Sequence, residues 1–372
     1  MGWGWLVKIG TRLTPWAINL GLPVNGLVRN TIFKQFVGGE TLEETAEVAD
    51  KLETFHVKVI LDYGVEGKEG EDNFDHACEE FIRVIDYAAS QPNIPFMSIK
   101  VTGFARFGLL EKLHKAATPE QTLQGKVATD NLTQEEKAEW GRVMARMERI
   151  ATAASASNIG VLVDAEETWI QDPVDAISLY MMEKYNRQKV VLFNTIQLYR
   201  HDRLQFLTDS FEQAKQKGFT LGVKLVRGAY MEKERRRAEE QSAHSPIQPD
   251  KASSDRDYNA AIKFCTGHLD QIYLIVASHN EYSNLYATQL LQQLGLPLSH
   301  PHIHFSQLYG MSDNITFNLA KAGCSVSKYL PFGPIRDVIP YLMRRAQENS
   351  SMSGQTGREL GLIQKEIKRR DL

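Results

Sequence analysis

The sequence is poor in the features that mark several protein classes. It has only three cysteines, Cys78, Cys265 and Cys324, in 372 residues. Because they are odd in number and widely spaced, they give neither a disulfide framework nor a thiolate metal site. Such a chain suits a reducing compartment, and we predict a cytoplasmic location, with a peripheral site on the inner membrane as an alternative. No apolar run is long enough for a transmembrane helix.

Other signals are missing as well. The net charge is only −3, so no overall basic field predicts nucleic-acid binding. Neither a GxGxxG motif after a strand nor a GxxxxGK[ST] motif is present, which argues against a Rossmann fold and a P-loop. His302 and His304 form an HxH pair. Without a matching carboxylate or thiol cluster, we predict a structural role for this pair and no bound metal.

What the sequence does contain is a regular series of short β-branched runs. There are eight, at residues 57–62, 96–102, 160–166, 190–197, 220–228, 273–278, 302–307 and 324–330. Helix-like segments separate them, and strands alternating with helices indicate parallel pairing through right-handed crossovers. Eight units predict an α/β fold, a distorted (βα)8 barrel of the TIM type. A doubly wound sheet is the alternative.

Three regions are predicted along the chain: an N-terminal helical arm (1–56), the barrel (57–350) and a C-terminal basic helix (351–372). The first 39 residues carry four basic and no acidic side chains, together with Trp3, Trp5 and Trp16. This mixture is typical of a segment that contacts an anionic membrane surface. The alternative is an arm that caps the barrel, which the helix-breaking Pro15 and Pro23 favour.

Two further segments exceed what a crossover needs. Residues 103–159 should form extra helices outside the barrel or over its mouth, and Thr133 with Glu136 is a capping-box signature that starts one of them. The polar stretch 241–256 reads as a loop that is either disordered or a lid over a site.

Polar residues recur where the predicted strands end, which in barrels of this type is where the chemistry takes place. They are Asp62, Glu66, Lys100, Asp164, Glu166, Glu167, Gln197, Lys224, Arg227, Tyr230, Ser278, His279, Asn280, Gln307, Tyr309 and Tyr329. Buried lysines and aspartates are costly unless they are paired. A full ring of such residues therefore predicts a site rather than packing.

The stretch after the last strand carries a second polar cluster. It reads as a turn containing Pro331, Gly333 and Pro334, followed by a helix from about residue 336. Tyr341, Arg344, Arg345 and Glu348 share one face of that helix. Alone, this face could be an ordinary solvated surface. Next to the ring of polar strand ends, two adjacent arginines favour a clamp for a carboxylate, because guanidinium groups bind carboxylates in pairs of hydrogen bonds.

The residues resemble the proline dehydrogenases, flavoenzymes built on a distorted (βα)8 barrel. The matching motifs occur in family order over about residues 57–350: SIKVTG, VLVDAEET, NTIQLY, VKLVRGAYMEKER, ASHN, FSQLYGM and YLPFG with PYLMRRAQEN. The resemblance implies FAD as cofactor and L-proline as substrate, oxidised to 1-pyrroline-5-carboxylate as the first step towards glutamate. It also implies the single-function type of enzyme, with a quinone-type electron acceptor. Oxygen and soluble carriers stay open as acceptors, and the oligomeric state is not predicted.

The resemblance also implies roles for single residues. Arg344, Arg345 and Lys100 would bind the substrate carboxylate, Asp164 would lie near the proline nitrogen, and Glu66 would pair with Arg344 to gate the site. Tyr230, Tyr329, Tyr341 and Leu308 would surround the proline ring, with Tyr329 favouring proline over hydroxyproline. The implied flavin contacts are Asp164, Gln197, Lys224, Val226, Arg227, Gly228, Tyr230, Ser278, His279, Asn280 and Glu348.

Three rival functions stay open at this point. The same chemistry on hydroxyproline differs only in substrate preference. A flavin-free lyase or aldolase would use Lys100 as a Schiff base. A non-catalytic binding barrel would show no proline-dependent bleaching of a flavin.

Overall fold

Eight parallel strands close into a barrel in chain order, with β8 pairing back onto β1. A computed structural model describes residues 29–64, 68–351, 361 and 364–370. The strands are β1 Lys58–Tyr63, β2 Phe96–Ile99, β3 Gly160–Val163, β4 Leu192–Gln197, β5 Leu221–Val226, β6 Ile272–Ala277, β7 Ile303–Leu308 and β8 Val326–Phe332. The predicted (βα)8 barrel is confirmed. The predicted strands overlap the observed ones, but β2 and β3 end earlier than expected.

Helices surround the barrel. They are α1 Leu42–Glu53, α2 Glu71–Ala89, α3 Phe107–Ala116, α4 Pro119–Leu123, α5 Gln134–Ser157, α6 Gln171–Tyr185, α7 Arg203–Lys217, α8 Met231–Glu240, α9 Lys251–Thr266, α10 Glu281–Gln293, α11 Asp313–Lys321 and α12 Ile335–Ser351. None of the helices in the described ranges is long and apolar enough to cross a bilayer.

Aromatic side chains fill the floor of the barrel. Phe96 packs edge-on against Phe193 and His304, with ring centres 5.7 and 5.0 Å apart. A side chain at Gly160 would put its Cβ 2.4 Å from the Phe96 ring, so glycine makes room for that ring. Since large and small residues alternate in this way, the lower barrel is solid. Any ligand space must therefore lie at the C-terminal ends of the strands.

One of the extra helices of the 103–159 segment begins where the sequence predicts. The Thr133 side chain accepts from the Glu136 backbone, and the Glu136 side chain accepts from the Thr133 backbone, so the predicted capping box is present at the start of α5. Helix α5 packs against α2 on the outside of the barrel. Buried Arg146 of α5 reinforces this contact, because it forms ion pairs with Glu71 and Asp75 of α2.

The stretch 241–256 is only partly a loop, which corrects the prediction. Residues 251–256 form the first turns of α9. Asp250 caps this helix, since its Oδ1 accepts from the Ser253 backbone at 2.7 Å. The serine-rich composition hid the helix, although aspartate is a preferred N-cap residue.

Pro331 lies inside β8. The sequence predicted it in the turn that follows this strand, and that prediction is wrong. Its carbonyl accepts from Gly38 N at 2.8 Å, and Gly39 bridges to Phe332 beyond the end of β7. In a parallel strand, the N–H and C=O of one residue point to the same side. The missing N–H of Pro331 therefore removes no bond from the pairing with β1.

Within the predicted arm, residues 29–37 pack against the last helix, whereas α1 packs against β1. Arg29–Phe33 is a single π-helical turn and Lys34–Phe36 a single α-helical turn. Phe33 and Phe36 bury themselves against Val338 and Leu342 of α12. This segment therefore supports the helix that carries the arginine pair. Trp3, Trp5 and Trp16 lie outside the described residues, as does most of the predicted C-terminal helix, of which residues 364–369 are helical.

Candidate active site

One cavity of about 500 Å³ opens at the C-terminal ends of the strands. Every residue that has a role implied by the resemblance, and whose side chain the structure describes, lines it, as does Gly228. These residues are Lys100, Asp164, Gln197, Lys224, Val226, Arg227, Gly228, Tyr230, Ser278, His279, Asn280, Leu308, Tyr329, Tyr341, Arg344 and Arg345. Glu66 and the side chain of Glu348 lie outside the described part of the structure. The roles that the resemblance implies for all these residues stay predictions.

Asp164 is the polar centre of the cavity. Lys224 forms an ion pair with its Oδ1, and the Tyr329 hydroxyl donates to its Oδ2 at 2.7 Å. Lys100 Nζ lies 3.5 Å from the same Oδ2. Burial alone would raise the pKa of Asp164, but the two lysine charges and the hydrogen bonds from Lys224 and Tyr329 outweigh it and hold the pKa below its usual value. Asp164 is therefore an ionised acceptor at neutral pH.

A second carboxylate, Asp62, stands next to this centre. Ser98 Oγ lies 2.8 Å from Asp62 Oδ1 and 2.9 Å from the Tyr329 hydroxyl, so its single proton can serve either acceptor. Lys100 Nζ lies 3.4 Å from Asp62 Oδ1. One ammonium group thus stands between two carboxylates. The sequence marked Asp62 only as a polar strand end, and Ser98 carried no signal.

The arginine pair of α12 forms part of the cavity wall. Arg345 is 6% exposed, and its guanidinium carbon lies 5.1 Å from the centre of the Tyr341 ring. Arg344 is half-buried and stands 5.7 Å from the Tyr230 ring. The solvated-face interpretation of these arginines is therefore wrong. Both cations sit against aromatic rings, which attract cations electrostatically.

Among the lining residues that the structure describes, basic side chains outnumber acidic ones. The basic side chains are Lys100, Lys224, Arg227, Lys251, Arg344 and Arg345, and the acidic ones are Asp62 and Asp164. An environment of this kind favours anionic ligands such as carboxylates and phosphates.

Arg227 is fixed by partners from two helices and a strand end. Its Nε donates to Asp255 of α9 at 2.7 Å, and its Nη1 and Nη2 donate to Ser278 and Ser283 at 2.8 and 2.9 Å. The guanidinium also stacks 4.2 Å from the Tyr258 ring. An arginine held at this many points presents its charge to the cavity in one orientation. The sequence predicted Arg227 and Ser278 but none of the other partners.

His279 is held as a neutral ring. Its Nδ1 is 2.9 Å from Ser312 Oγ. Burial lowers the pKa of His279 from 6.5 to about 3, and the nearby positive charges of Lys328, Arg345 and Arg227 add to that effect. At neutral pH its imidazole is therefore a hydrogen-bonding group and not a charge.

Two features of the cavity wall fit a large polar cofactor. Gln197 Nε2 donates to the Glu166 carbonyl at 2.8 Å, while its buried Oε1 has no partner among the described residues. Such an acceptor matches a ligand N–H. Gly228, which lines the cavity, has φ +137°, and a Cβ there would lie 2.4 Å from the Tyr199 ring, so only glycine fits at this point of the wall.

Some predicted strand-end residues face elsewhere. Glu166 accepts from Thr102 at 2.8 Å, Glu167 pairs with Lys233, and neither they nor Tyr309 line the cavity. Conversely, the sequence gave no site role to several lining residues, namely Ala165, Thr195, Ala229, Met231, Lys251, Ala277, Ser306 and Met311. Strand alternation could have identified Thr195 and Ser306 as lining residues, because they lie on the same strand faces as Gln197 and Leu308. Lys251 is the first residue of α9 and Met311 lies in the loop after β7, so strand alternation does not apply to either.

Comparison with known proteins then decides the family. A family model described as proline dehydrogenase matches residues 45–358. The chain belongs to the proline dehydrogenase family. The resemblance seen in its motifs is thereby confirmed.

Curated members of the family match over nearly all of the chain. "Proline dehydrogenase 1, mitochondrial" of Dictyostelium discoideum is 32% identical over 384 residues, covering 95% of this chain and 67% of its own length. "Carbapenem antibiotics biosynthesis protein CarD" of Pectobacterium carotovorum is 35% identical, with 90% and 83% covered. "Hydroxyproline dehydrogenase" of Xenopus laevis is 32% identical, with 97% and 80% covered. Proteins named for two different substrates thus match at similar identity.

Among solved structures, the barrel resembles proline utilization A from Bdellovibrio bacteriovorus with a TM-score of 0.74 and 20% identity. The match covers 86% of this chain and 33% of that one. The chain thus spans about a third of that protein's length. At this identity the likeness establishes the fold alone.

Proposed function

We propose that the protein oxidises L-proline to 1-pyrroline-5-carboxylate with bound FAD, as the first step of proline conversion to glutamate. The observation that carries this proposal is the convergence of Lys100, Arg344 and Arg345 with anionic Asp164 in one aromatic-walled cavity. Proline is a small zwitterion with an apolar ring. It needs cations for its carboxylate, an anion for its ammonium group and apolar walls for its methylene groups. The family membership supports the same substrate.

In this proposal, Arg344, Arg345 and Lys100 bind the substrate carboxylate. A charge-assisted hydrogen bond contributes roughly 1.5–3 kcal/mol, and two guanidinium groups also fix the orientation of a planar anion. The aromatic faces of Tyr230 and Tyr341 hold both arginines in place before the substrate arrives. The carboxylate thereby anchors one end of the ring.

Asp164 serves the opposite end of the substrate. As an ionised carboxylate, it attracts the ring ammonium and can hold the nitrogen while that atom loses its proton to solvent. Lys224 and Tyr329 keep Asp164 ionised. Bound FAD supplies the two-electron acceptor that takes a hydride from the ring carbon next to nitrogen. The closed floor and the aromatic walls exclude water from that carbon.

For the cofactor, we infer that FAD lies along the wall formed by β4, β5 and β6. Gln197 Oε1 offers a buried acceptor, Gly228 lines the cavity at a position that only glycine fits, and Arg227 is held rigidly at the same wall. The surplus of basic residues suits the pyrophosphate. Ser278, His279 and Asn280 add neutral hydrogen-bonding groups beside them.

A Schiff-base mechanism at Lys100 is less well supported. Its Nζ lies 3.4 Å from Asp62 and 3.5 Å from Asp164. Two neighbouring carboxylates favour the charged ammonium over the neutral amine that attacks a carbonyl.

The deciding experiment is an anaerobic titration of the purified protein with L-proline. We expect a bound-flavin absorption band that bleaches with proline, and a product that o-aminobenzaldehyde traps as the cyclic imine. A parallel titration with 4-hydroxyproline ranks the two substrates; the predicted preference for proline fails if hydroxyproline turns over faster. A colourless protein that does not take up FAD would overturn the proposal.

The electron acceptor is a separate part of the proposal. We propose a quinone-type acceptor, on the resemblance to the family. After anaerobic reduction by proline, a water-soluble quinone should restore the flavin band much faster than oxygen does. Faster reoxidation by oxygen would contradict it. The predicted peripheral membrane contact rests on residues 1–39, and co-sedimentation of the protein with anionic vesicles tests it.

A further inference from the structure

A buried lysine stands on the outer face of the last strand. Lys328 is 1% exposed, and its neighbour Tyr329 points into the barrel. Because strand residues alternate, Lys328 points towards the surrounding helices. Burying an ammonium group costs several kcal/mol unless it is paired and hydrogen-bonded. The groups that pair with Lys328 therefore indicate which part of the structure it stabilises.

All the partners that we describe for Lys328 belong to residues 308–313, the 308–313 loop, which runs from the last residue of β7 to the first residue of α11. Its Nζ donates to the Met311 carbonyl at 2.6 Å and lies 3.4 Å from the Leu308 carbonyl. Asp313 Oδ1 completes the set at 2.7 Å, with an Asp313 side chain that is 62% exposed. One cation thus links both ends of a six-residue loop.

That loop has an unusual backbone. Met311 N donates to the Leu308 carbonyl at 3.2 Å, which closes a tight turn with Gly310 at φ +74°. A Cβ at Gly310 would lie 2.0 Å from the carbonyl oxygen of Gln35. Ser312 then adopts φ +53°, a region that costs a non-glycine residue roughly 1 kcal/mol or more. Such a conformation persists only where the surroundings impose it.

The same loop shapes the cavity. Leu308 and Met311 line it, and Ser312 Oγ holds Nδ1 of His279, another lining residue, at 2.9 Å. Any change in the path of this loop would therefore move Leu308 and Met311, and it would break the hydrogen bond between Ser312 and His279. Lys328 itself does not line the cavity.

We propose that Lys328 is a positioning residue, which locks the 308–313 loop so that Leu308 and Met311 form the apolar wall against the substrate ring and Ser312 orients His279. The substrate side of this inference rests on the proposed oxidation of proline. The loop-locking side does not.

Three variants test it. Lys328→Met keeps the length of the side chain and removes its charge and donors. Asp313→Asn removes only the negative charge of the exposed partner and leaves the two carbonyls. Lys58→Met is the matched control, because exposed Lys58 pairs with Ser327, the residue next to Lys328, from the neighbouring strand. Hydrogen–deuterium exchange of peptides covering residues 305–316 reports on the loop directly.

For Lys328→Met we expect faster exchange confined to the loop, a smaller increase for Asp313→Asn and none for Lys58→Met. With FAD in excess, the KM for proline should rise roughly tenfold in Lys328→Met while kcat changes much less, because an apolar wall contributes to binding of the ring. Unchanged loop exchange in a folded Lys328→Met would overturn the proposal, as would an equal increase over all eight strands.

If Lys328→Met fails to fold, Asp313→Asn decides, and wild-type loop exchange in that variant would count against the proposal. If the wild type proves indifferent to proline while loop exchange still follows the expected order, only the proposed function fails. If proline oxidation is normal but the KM of Lys328→Met equals that of Lys58→Met, only the positioning role fails.

Discussion

Tyr329 donates its hydroxyl proton to Asp164 Oδ2 at 2.7 Å across the mouth of the barrel. Tyr329 lies on β8 and Asp164 follows β3, so β1 and β2 separate their strands in the barrel. The resemblance to the family implies that Tyr329 contacts the proline ring and that Asp164 lies near the proline nitrogen. This hydrogen bond therefore joins two predicted substrate contacts. Burial and the charges of Asp164 and Asp62 raise the pKa of Tyr329 well above its usual value, which keeps the hydroxyl protonated and able to donate.

Tyr329→Phe should therefore weaken the enzyme through Asp164. We expect kcat/KM for proline to fall roughly tenfold, the loss typical of one hydrogen bond to a charged group. Removing that bond raises the pKa of Asp164, so its protonation begins at higher pH. The acid limb of the pH profile of kcat/KM should accordingly move to higher pH.

The control for this change is Tyr273→Phe. Tyr273 packs on the floor of the barrel against Phe193, with ring centres 5.0 Å apart. Its variant should keep the wild-type pH profile. An acid limb of Tyr329→Phe that stays in place, or moves to lower pH, would show that Tyr329 does not act on Asp164.

Arg345→Lys and Arg344→Lys should each raise the KM for proline, roughly 10- to 100-fold, while flavin content stays near that of the wild type. Lysine keeps the charge but cannot present the planar pair of donors that a carboxylate accepts. The loss should be larger at Arg345, the more buried of the two. Arg336→Lys, an exposed change on the same helix, is the control. Wild-type KM values in both variants would remove these arginines from the carboxylate site.

Much of the barrel could be predicted because its signals are local. Strands of a parallel barrel are short apolar runs, and the residue after each run must lie at the same rim. Asp164 and Ser278, which directly follow β3 and β6, were identified as strand-end residues in this way. The arginine face of α12 followed from the 3.6-residue period.

What could not be predicted depends on contacts between distant segments. Pro331 reads as a turn residue until Gly38 is seen to satisfy its carbonyl. The partners of Lys328 lie in the 308–313 loop, and nothing in the sequence connects that loop with β8. Asp255, which fixes Arg227, lies in a stretch that composition assigns to a loop. None of these residues belongs to a periodic pattern, so the sequence carries no signal for its partner.

Two buried histidines predict how stability depends on pH. Burial, with a smaller effect of Lys58, lowers the pKa of His304 from 6.5 to about 3, and the pKa of His279 is lowered to the same value. As the pH falls below about 6.5, these histidines therefore bind protons in the unfolded chain before they do so in the folded chain. The free energy of unfolding should decrease from there towards pH 3, by up to about 1.4 kcal/mol per pH unit for each histidine.

His304→Gln separates this effect from general acid sensitivity. A glutamine amide can keep the hydrogen bond that His304 Nε2 makes with Ser327 Oγ at 2.6 Å, but it does not titrate. Urea unfolding at pH 7.0 and 4.5 should show a smaller loss of stability for this variant than for the wild type. His76→Gln, at an exposed position, is the control and should lose as much as the wild type. Equal losses in all three proteins would mean that His304 is not held neutral by the fold.

Gly228→Ala should impair cofactor binding while leaving a folded barrel. The glycine has φ +137°, and an added Cβ would lie 2.4 Å from the Tyr199 ring, so the end of β5 must shift towards the cavity. We expect the dissociation constant for FAD to rise roughly tenfold or more, since strain at such a position costs about 1–3 kcal/mol. Titrating the apoprotein with FAD, with quenching of flavin fluorescence as the signal, measures this dissociation constant.

The control is Gly141→Ala on α5, where a Cβ meets nothing within 4 Å. This change should stabilise that helix by roughly 0.5–1 kcal/mol without changing FAD affinity. Wild-type FAD affinity in Gly228→Ala would place the cofactor away from this wall of the cavity.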